Sequence, residues 1–262
     1  MLNMKVVILA GGLGTRISEE SYLRPKPMVE IGEFPILVHI MKIYASFGFK
    51  DFVICAGYKQ QVIKEYFAHY YLYTNDVTFH MGNNKKEIIH KDFFDDWNVT
   101  VADTGLYTAT GGRIKRVQKY IGNEPFMVTY GDAVGNVDIS ALLEEHRRSG
   151  KLGTISVCNF GQSKGVVDIS KDGTVNAFRE KSDMDGDLIN IGYMVMEPEV
   201  FDMIPGDSSS FEDTAIQTLV KERQLGYHLH KGFWQCMDTM NEKKKLEQLW
   251  AGGNAPWKTW KD

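Results

Sequence analysis

The sequence predicts an α/β fold, a mostly parallel sheet with flanking helices, and three observations carry that expectation. Three short runs, Lys5–Leu9, Asp51–Ala56 and Pro125–Tyr130, are apolar, rich in Val, Ile or Phe, and closely followed by glycine. Unbroken apolar runs are what parallel strands look like when both of their faces are covered. Stretches with helical apolar spacing alternate with them: Ile36–Phe47 after the first, Gln61–Tyr71 after the second and Ile139–Arg148 after the third. Strands alternating with helices build βαβ units, and ligands in such folds bind beyond the carboxyl ends of the strands.

The second half is less regular. Gly153–Asn159, Gly165–Ile169, Thr174–Glu180 and Ile191–Met196 read as strands separated by Asp-Gly and other polar turns, and Asp183–Asp187 as a mobile loop. Glu212–Arg223 and Asn241–Trp250 read as helices, and Asp138 as the N-cap of the helix that follows it. No repeat or linker divides the 262 residues, a length that suffices for one domain with an inserted substrate-binding lobe. Trp250, Trp257 and Trp260 make an aromatic tail suited to covering a neighbouring copy.

Composition excludes several classes. A formal charge of −4 leaves no basic excess for neutralising a nucleic-acid backbone. Cys55, Cys158 and Cys236 are odd in number and widely spaced, which fits neither a disulfide framework nor a zinc pattern and points to a reducing cytoplasm. Met4–Ala10 is too short to span a bilayer, and no membrane association is expected. The histidines lack ligand spacing, so no zinc site is expected. Neither Ser18 nor Cys55 has a triad order that would make it a nucleophile.

The chemistry concentrates in Leu9–Met28, LAGGLGTRISEESYLRPKPM. A strand runs into Gly11, Gly12 and Gly14, which let the backbone bend and bring amide N–H groups close to an anion. Arg16 follows, and Lys26 is mounted between Pro25 and Pro27, which stiffen its loop. Glycine loop, arginine and rigidly held lysine suit a triphosphate, with Lys26 neutralising charge at the reacting phosphoryl group. The order is neither that of a P-loop nor G-x-G-x-x-G, which disfavours an ordinary NTPase or a dinucleotide enzyme.

That segment resembles the signature of the sugar-phosphate nucleotidyltransferases, L-A-G-G-x-G-T-R followed by P-K-P-M. The likeness continues through Phe52–Phe67, Asp76–His80, Trp97–Thr100, Asp103–Gly105, Thr110–Val117, Thr129–Asp132, Gly232–Thr239 and Ala255–Trp260. Ser18-Glu19-Glu20 and the APWKTW tail point to the cytidylyltransferase branch. The resemblance implies a Rossmann-like fold of the nucleotide-diphospho-sugar transferase type. The activity it implies is transfer of the cytidylyl group of CTP to α-D-glucose 1-phosphate, releasing pyrophosphate with the help of Mg²⁺. Residues 1–140 would mainly bind the nucleotide and 141–240 the sugar phosphate, with 241–262 a terminal helix and tail. A homo-oligomer, trimeric or hexameric, is implied as well.

Site residues carry over position by position. Leu9, Gly11, Gly12, Gly14, Thr15, Arg16, Lys26, Thr110, Gly111, Arg113 and Asp132 would bind the nucleotide, Arg113 by contacting phosphate or by bracing the base loop. Asp132 and Asp238 would hold Mg²⁺, and Arg16, Lys26 and Asp132 would act in catalysis. Tyr130, Gly165, Glu180, Lys181, Asn190 and Glu212 would hold the sugar phosphate, where carboxylate and amide orient hydroxyls and lysine binds phosphate. Departures from the family pattern at Lys164, Ser182, Ile191 and Phe211 crowd around the acceptor. Transfer to another phosphorylated acceptor and a catalytically silent regulator remain the alternatives.

Overall fold

The computed structural model describes residues 4–14, 22–82, 86–90, 95–159, 166–169, 175–179 and 188–260. Seven strands form the central sheet: β1 Val6–Ala10, β2 Asp51–Ala56, β3 Asn98–Asp103, β4 Phe126–Tyr130, β5 Gly153–Asn159, β6 Leu188–Met196 and β7 Leu225–His230. Their spatial order is β7-β5-β6-β4-β1-β2-β3. All neighbours run parallel except β6, which is antiparallel to both β4 and β5. The chain steps outward from β1 through β2 to β3 and then returns to the other side of β1 with β4. The order therefore reverses between β1 and β4, which opens a crevice at their carboxyl ends.

Alternation along β1 shows why its whole run is apolar. Val6, Ile8 and Ala10 join one buried layer with α1 (Ile36–Ser46) and α2 (Gln60–Ala68), while Val7 and Leu9 join Ile114 of α3 (Thr110–Arg116) in the other. α1 is buried at every position from Ile36 to Tyr44. α4 (Ile139–Ser149) starts where expected, Asp138 Oδ1 accepting the Ala141 N–H at 2.9 Å.

Several elements differ from expectation. The helix after β2 stops at Ala68, and a short separate turn spans Tyr70–Thr74. β3 was not foreseen, because this outer strand is only half covered and Asn98–Asp103 lacks an unbroken apolar run. An antiparallel pair, Asp76–His80 with Lys86–His90, was equally hidden. Glu212–Arg223 divides into a π-turn, Glu212–Ile216, and the short helix Gln217–Lys221. β6 begins at Leu188, earlier than expected.

The aromatic tail packs on its own chain, Trp257 buried and Trp250 and Trp260 half-buried. Trp257 is fully buried, with ring centroids 5.6 Å from Phe233 and 6.1 Å from His39. α5 (Met240–Ala251) supplies Trp250, whose indole lies over Gly32; a Cβ there would meet Trp250 Nε1 at 2.1 Å. His39 ties the cluster together: its Nε2–H donates to the Ile31 carbonyl at 2.9 Å, and Nδ1 accepts from Trp257 Nε1–H at 3.3 Å. Burial lowers the His39 pKa to about 4, and the Lys42 charge pushes the same way against the backbone acceptors. The neutral ring is thus the folded form, and its contribution is complete above pH 6.5 and lost as pH falls toward 4. Keeping this imidazole neutral against a tenfold rise in proton concentration costs about 1.4 kcal/mol, so acidification from about pH 7 to 4 is expected to cost about 3 kcal/mol through this residue. Urea unfolding of the wild type and His39→Gln across that range checks it, and equal pH slopes would remove His39 as the cause.

Candidate active site

The crevice between β1 and β4 is built from loop ends that come close enough to share one arginine. After β1 the chain turns through Gly11, Gly12 and Gly14, the last with φ +64°. Arg113, on α3 and 4% exposed, reaches beneath this turn. Its guanidinium donates to Thr104 Oγ1 at 2.8 Å, the Gly105 carbonyl at 2.7 Å and the Leu106 carbonyl at 3.2 Å. A Cβ on Gly11 would lie 2.1 Å from Arg113 Nη1, and one on Gly57 2.5 Å from it. The loops after β1, β2 and β3 therefore converge on one buried cation. Burial holds its pKa below the usual arginine value, although a guanidinium stays charged at neutral pH. Its hydrogen bonds hold Thr104, Gly105 and Leu106, and it lines the cleft as well.

Pro25 and Pro27 frame a 3₁₀ turn, Lys26–Met28, that points Lys26 into the crevice. The Lys26 Nζ lies 2.6 Å from Asp132 Oδ2 and 2.5 Å from Asp238 Oδ1. Asp132 follows β4 after Gly131, where a Cβ would sit 2.8 Å from the Leu9 carbonyl and 3.1 Å from Pro27. The close crossing of β1, β4 and the Lys26 loop thus needs glycine. Asp238 arrives from the other end of the chain: Trp234–Cys236 pairs with Ala133–Gly135, and the Met237 N–H donates to the Asp132 carbonyl at 2.9 Å. The Asp238 N–H then bonds Glu242 Oε2 at 2.8 Å, beside the Thr239–Glu242 capping box that opens α5. Burial alone would lower the Lys26 pKa, but Asp132 and Asp238 outweigh it and the net shift is upward. The ammonium is firmly charged.

A cleft of about 380 Å³ opens over these groups. Leu9–Gly12 and Gly14, Lys26-Pro27, Thr108–Thr110, Arg113 and Tyr130–Asp132 line it. Leu9, Gly11, Gly12, Gly14, Lys26, Thr110, Arg113, Tyr130 and Asp132, all singled out in the sequence, thus share one space, with Asp238 joined through Lys26. Gly111 is not among the residues that line it; a Cβ on Gly111 would meet the Ser209 carbonyl at 2.7 Å, and one on Gly112 the Asp207 backbone at 2.6 Å. Asn190 is exposed on β6, its Oδ1 accepting the Gly192 N–H at 3.0 Å, apart from the described lining. Thr15, Arg16, Gly165, Glu180 and Lys181 lie outside the described residues.

Glu212 sits behind the cleft, where it accepts hydrogen bonds from Tyr130 OH, Thr110 Oγ1 and Ser210 Oγ. Burial alone would raise its pKa, yet these donors outweigh it and the carboxyl stays below its ordinary value. Burial and the facing Glu212 push the Tyr130 phenol upward. This anionic hub ties the end of β4 to the start of α3, a link that sequence spacing does not reveal. Gly57 carries one signal in the sequence, a glycine at a strand end. Gly112→Ala is expected to force the Asp207 backbone and Thr108 away and destabilise the protein by about 1–3 kcal/mol. Thermal unfolding measures this, and an unchanged Tm would show that the loop yields freely.

The donor chemistry suits a hard cation. Two carboxylates reach one positively charged point, and Mg²⁺ prefers one or two such oxygens with phosphate and water completing its shell. Among the described residues no group of three or more His, Cys, Asp or Glu side chains is placed to hold a metal. No described helix is long and apolar enough to cross a membrane.

The profile of the nucleotidyl transferase family matches residues 5–262. A glucose-1-phosphate cytidylyltransferase of Salmonella typhimurium is 51% identical over 258 residues, 98% of this chain and 100% of that one. Among solved structures, a UDP-glucose pyrophosphorylase from Acinetobacter baumannii superposes with a TM-score of 0.71 at 16% identity, over 98% of this chain and 96% of that one. HddC from Yersinia pseudotuberculosis gives 0.66 at 24% identity, over 94% and 99%. These two likenesses concern the fold.

Proposed function

The chain belongs to the nucleotidyl transferase family, and from that premise we propose that it transfers the cytidylyl group of CTP to α-D-glucose 1-phosphate, giving CDP-glucose and pyrophosphate. The observation that carries the substrate assignment is the 51% identity over 98% of the chain to a relative with that name. The cleft supplies the supporting chemistry: a glycine turn with amides for an anion, a buried lysine, and two carboxylates beside it.

A phosphate oxygen of the sugar phosphate attacks the α-phosphorus of CTP, the α–β bridging bond breaks, and its electron pair leaves with pyrophosphate. Both reactants are anions, so holding them together and screening their repulsion is the main task. The Gly11–Gly14 turn receives the triphosphate, and Lys26 stabilises the negative charge that spreads over the transferring group. Asp132 and Asp238 would hold Mg²⁺, which when bound screens phosphate charge. Arg113 keeps the glycine turn in shape from below. Arg16 on the triphosphate, Lys181 on the acceptor phosphate, and Glu180, Asn190 and Gly165 on the sugar take their roles from the family resemblance. The same resemblance supports the division of labour between residues 1–140 and 141–240 and a trimer or hexamer measurable by light scattering, while the three widely spaced cysteines support a cytoplasmic location.

Pyrophosphate release tests the assignment, with Mg²⁺ present and CTP, UTP, dTTP, ATP and GTP crossed against glucose 1-phosphate and other sugar phosphates. Strong release with CTP and glucose 1-phosphate alone is expected. Release with CTP and another acceptor would keep the chemistry and replace the sugar, whereas silence across the panel would overturn the enzymatic reading.

A further inference from the structure

We infer that Lys26 occupies the cation position between Asp132 and Asp238 in the nucleotide-free protein, so that a divalent cation binds there only when a nucleotide draws the lysine away. This rests on the proposed metal-holding role of the two aspartates.

Both contacts are at charge-assisted distance, 2.6 and 2.5 Å from one Nζ, on a residue only 8% exposed. A divalent ion and an ammonium cannot share that point, because like charges so close repel strongly where water is scarce. The backbone offers little room for compromise. Pro25 and Pro27 stiffen the turn, and the Val29 N–H is bonded to the Lys26 carbonyl at 3.0 Å. Exchange must therefore come from the side-chain torsions, which can swing the ammonium into the cleft it already lines. An anion has to meet it there, since an ammonium leaving two carboxylates for an apolar wall would lose both partners.

A triphosphate satisfies each requirement at once. Its oxygens give Lys26 a new partner, and they complete the shell of a cation that finds only two carboxylates on the described protein. The lysine thus serves as a resident counter-ion that makes cation uptake depend on nucleotide. It also keeps two acidic side chains, brought together from the middle and the last tenth of the sequence, from repelling one another before substrate arrives.

Mn²⁺ serves as the probe, its binding read from loss of the free-ion electron paramagnetic resonance signal, with CTP alone as blank and no sugar phosphate. The wild type without nucleotide is expected to bind Mn²⁺ at least tenfold more weakly than Lys26→Met without nucleotide. Wild type with CTP should gain a protein-dependent Mn²⁺, and adding Asp132→Asn to Lys26→Met should erase the variant's advantage. Lys26→Gln, whose amide still hydrogen-bonds a carboxylate, gives the same comparison if the methionine variant does not fold. Equal nucleotide-free affinity in wild type and the neutral variants would overturn the exchange while leaving the proposed metal ligands in place. No protein-dependent Mn²⁺ in any protein, with or without CTP, would overturn both.

Discussion

Lys26→Met is expected to lower turnover by about 10²–10³-fold, the range that removal of one well-aimed charge-stabilising group produces. The size follows from placement. The ammonium is buried beside the glycine turn, in a setting where water cannot take over its work, and Asp132 and Asp238 hold it charged. Because charge on the transferring phosphoryl group grows as the reaction proceeds, the loss should fall on kcat more than on the KM for CTP. Lys26→Arg should recover little, since a planar fork does not fit where a compact ammonium bridges two carboxylates. Steady-state pyrophosphate release measures the effect, with circular dichroism to verify folding. A fall in kcat of less than about tenfold would separate Lys26 from the chemistry.

Arg113→Met is expected to cost about 3–5 kcal/mol of stability. It removes the donors that serve the buried Thr104 Oγ1 and the part-buried Gly105 and Leu106 carbonyls, and an acceptor left unpaired costs about 1–3 kcal/mol less whatever water recovers, which is most at Leu106. A drop in Tm of about 10 °C corresponds to such a loss in a protein of this size. The functional consequence is separate. Gly11 and Gly57 both rest on the guanidinium, so the anion-binding turn should lose its shape and the KM for CTP should rise at least tenfold. Arg113→Lys should not rescue it, because one ammonium cannot reach three acceptors on three successive residues in the plane of a guanidinium. Thermal unfolding and steady-state kinetics together check this. A stable variant with normal KM would mean that the loops hold themselves.

The strands that matter most for the site were legible because of where they lie. β1, β2 and β4 are central and covered on both faces, so apolar residues fill them apart from Asp51 at the start of β2 and Thr129 in β4, and the runs stand out. β3 borders the same sheet but is half covered, and its alternating NVTVAD carries no such mark. The divided element at Glu212–Lys221 was hidden for another reason. Its apolar residues keep helical spacing, while the wide π-turn coincides with Glu212 being drawn to hydroxyls on β4, α3 and Ser210. Two of these three hydroxyls, on Tyr130 and Thr110, are distant in the chain, so that pull leaves no local pattern.

The aromatic tail shows how composition can be right about chemistry and silent about address. Three tryptophans near the end need cover, and the sequence says no more. The cover turns out to be His39, Phe233 and Gly32 of the same chain, because α5 carries Trp250 back over the turn that follows Lys26.

By itself, the sequence determined the α/β class, the glycine turn, the proline-mounted lysine, and the residue types able to hold a triphosphate and a cation. These are local properties, set by the side chains on a few consecutive residues and by what glycine and proline do to the backbone. Only the tertiary structure decided that Lys26 meets Asp132 and Asp238, 106 and 212 residues away, that Arg113 supports three loops, and that Glu212 is held by hydroxyls. Such contacts depend on strand order and on the close approaches that Gly11, Gly57 and Gly131 permit. Distance along the chain carries no information about distance across a sheet, so that part of the site exists only once the sheet has formed.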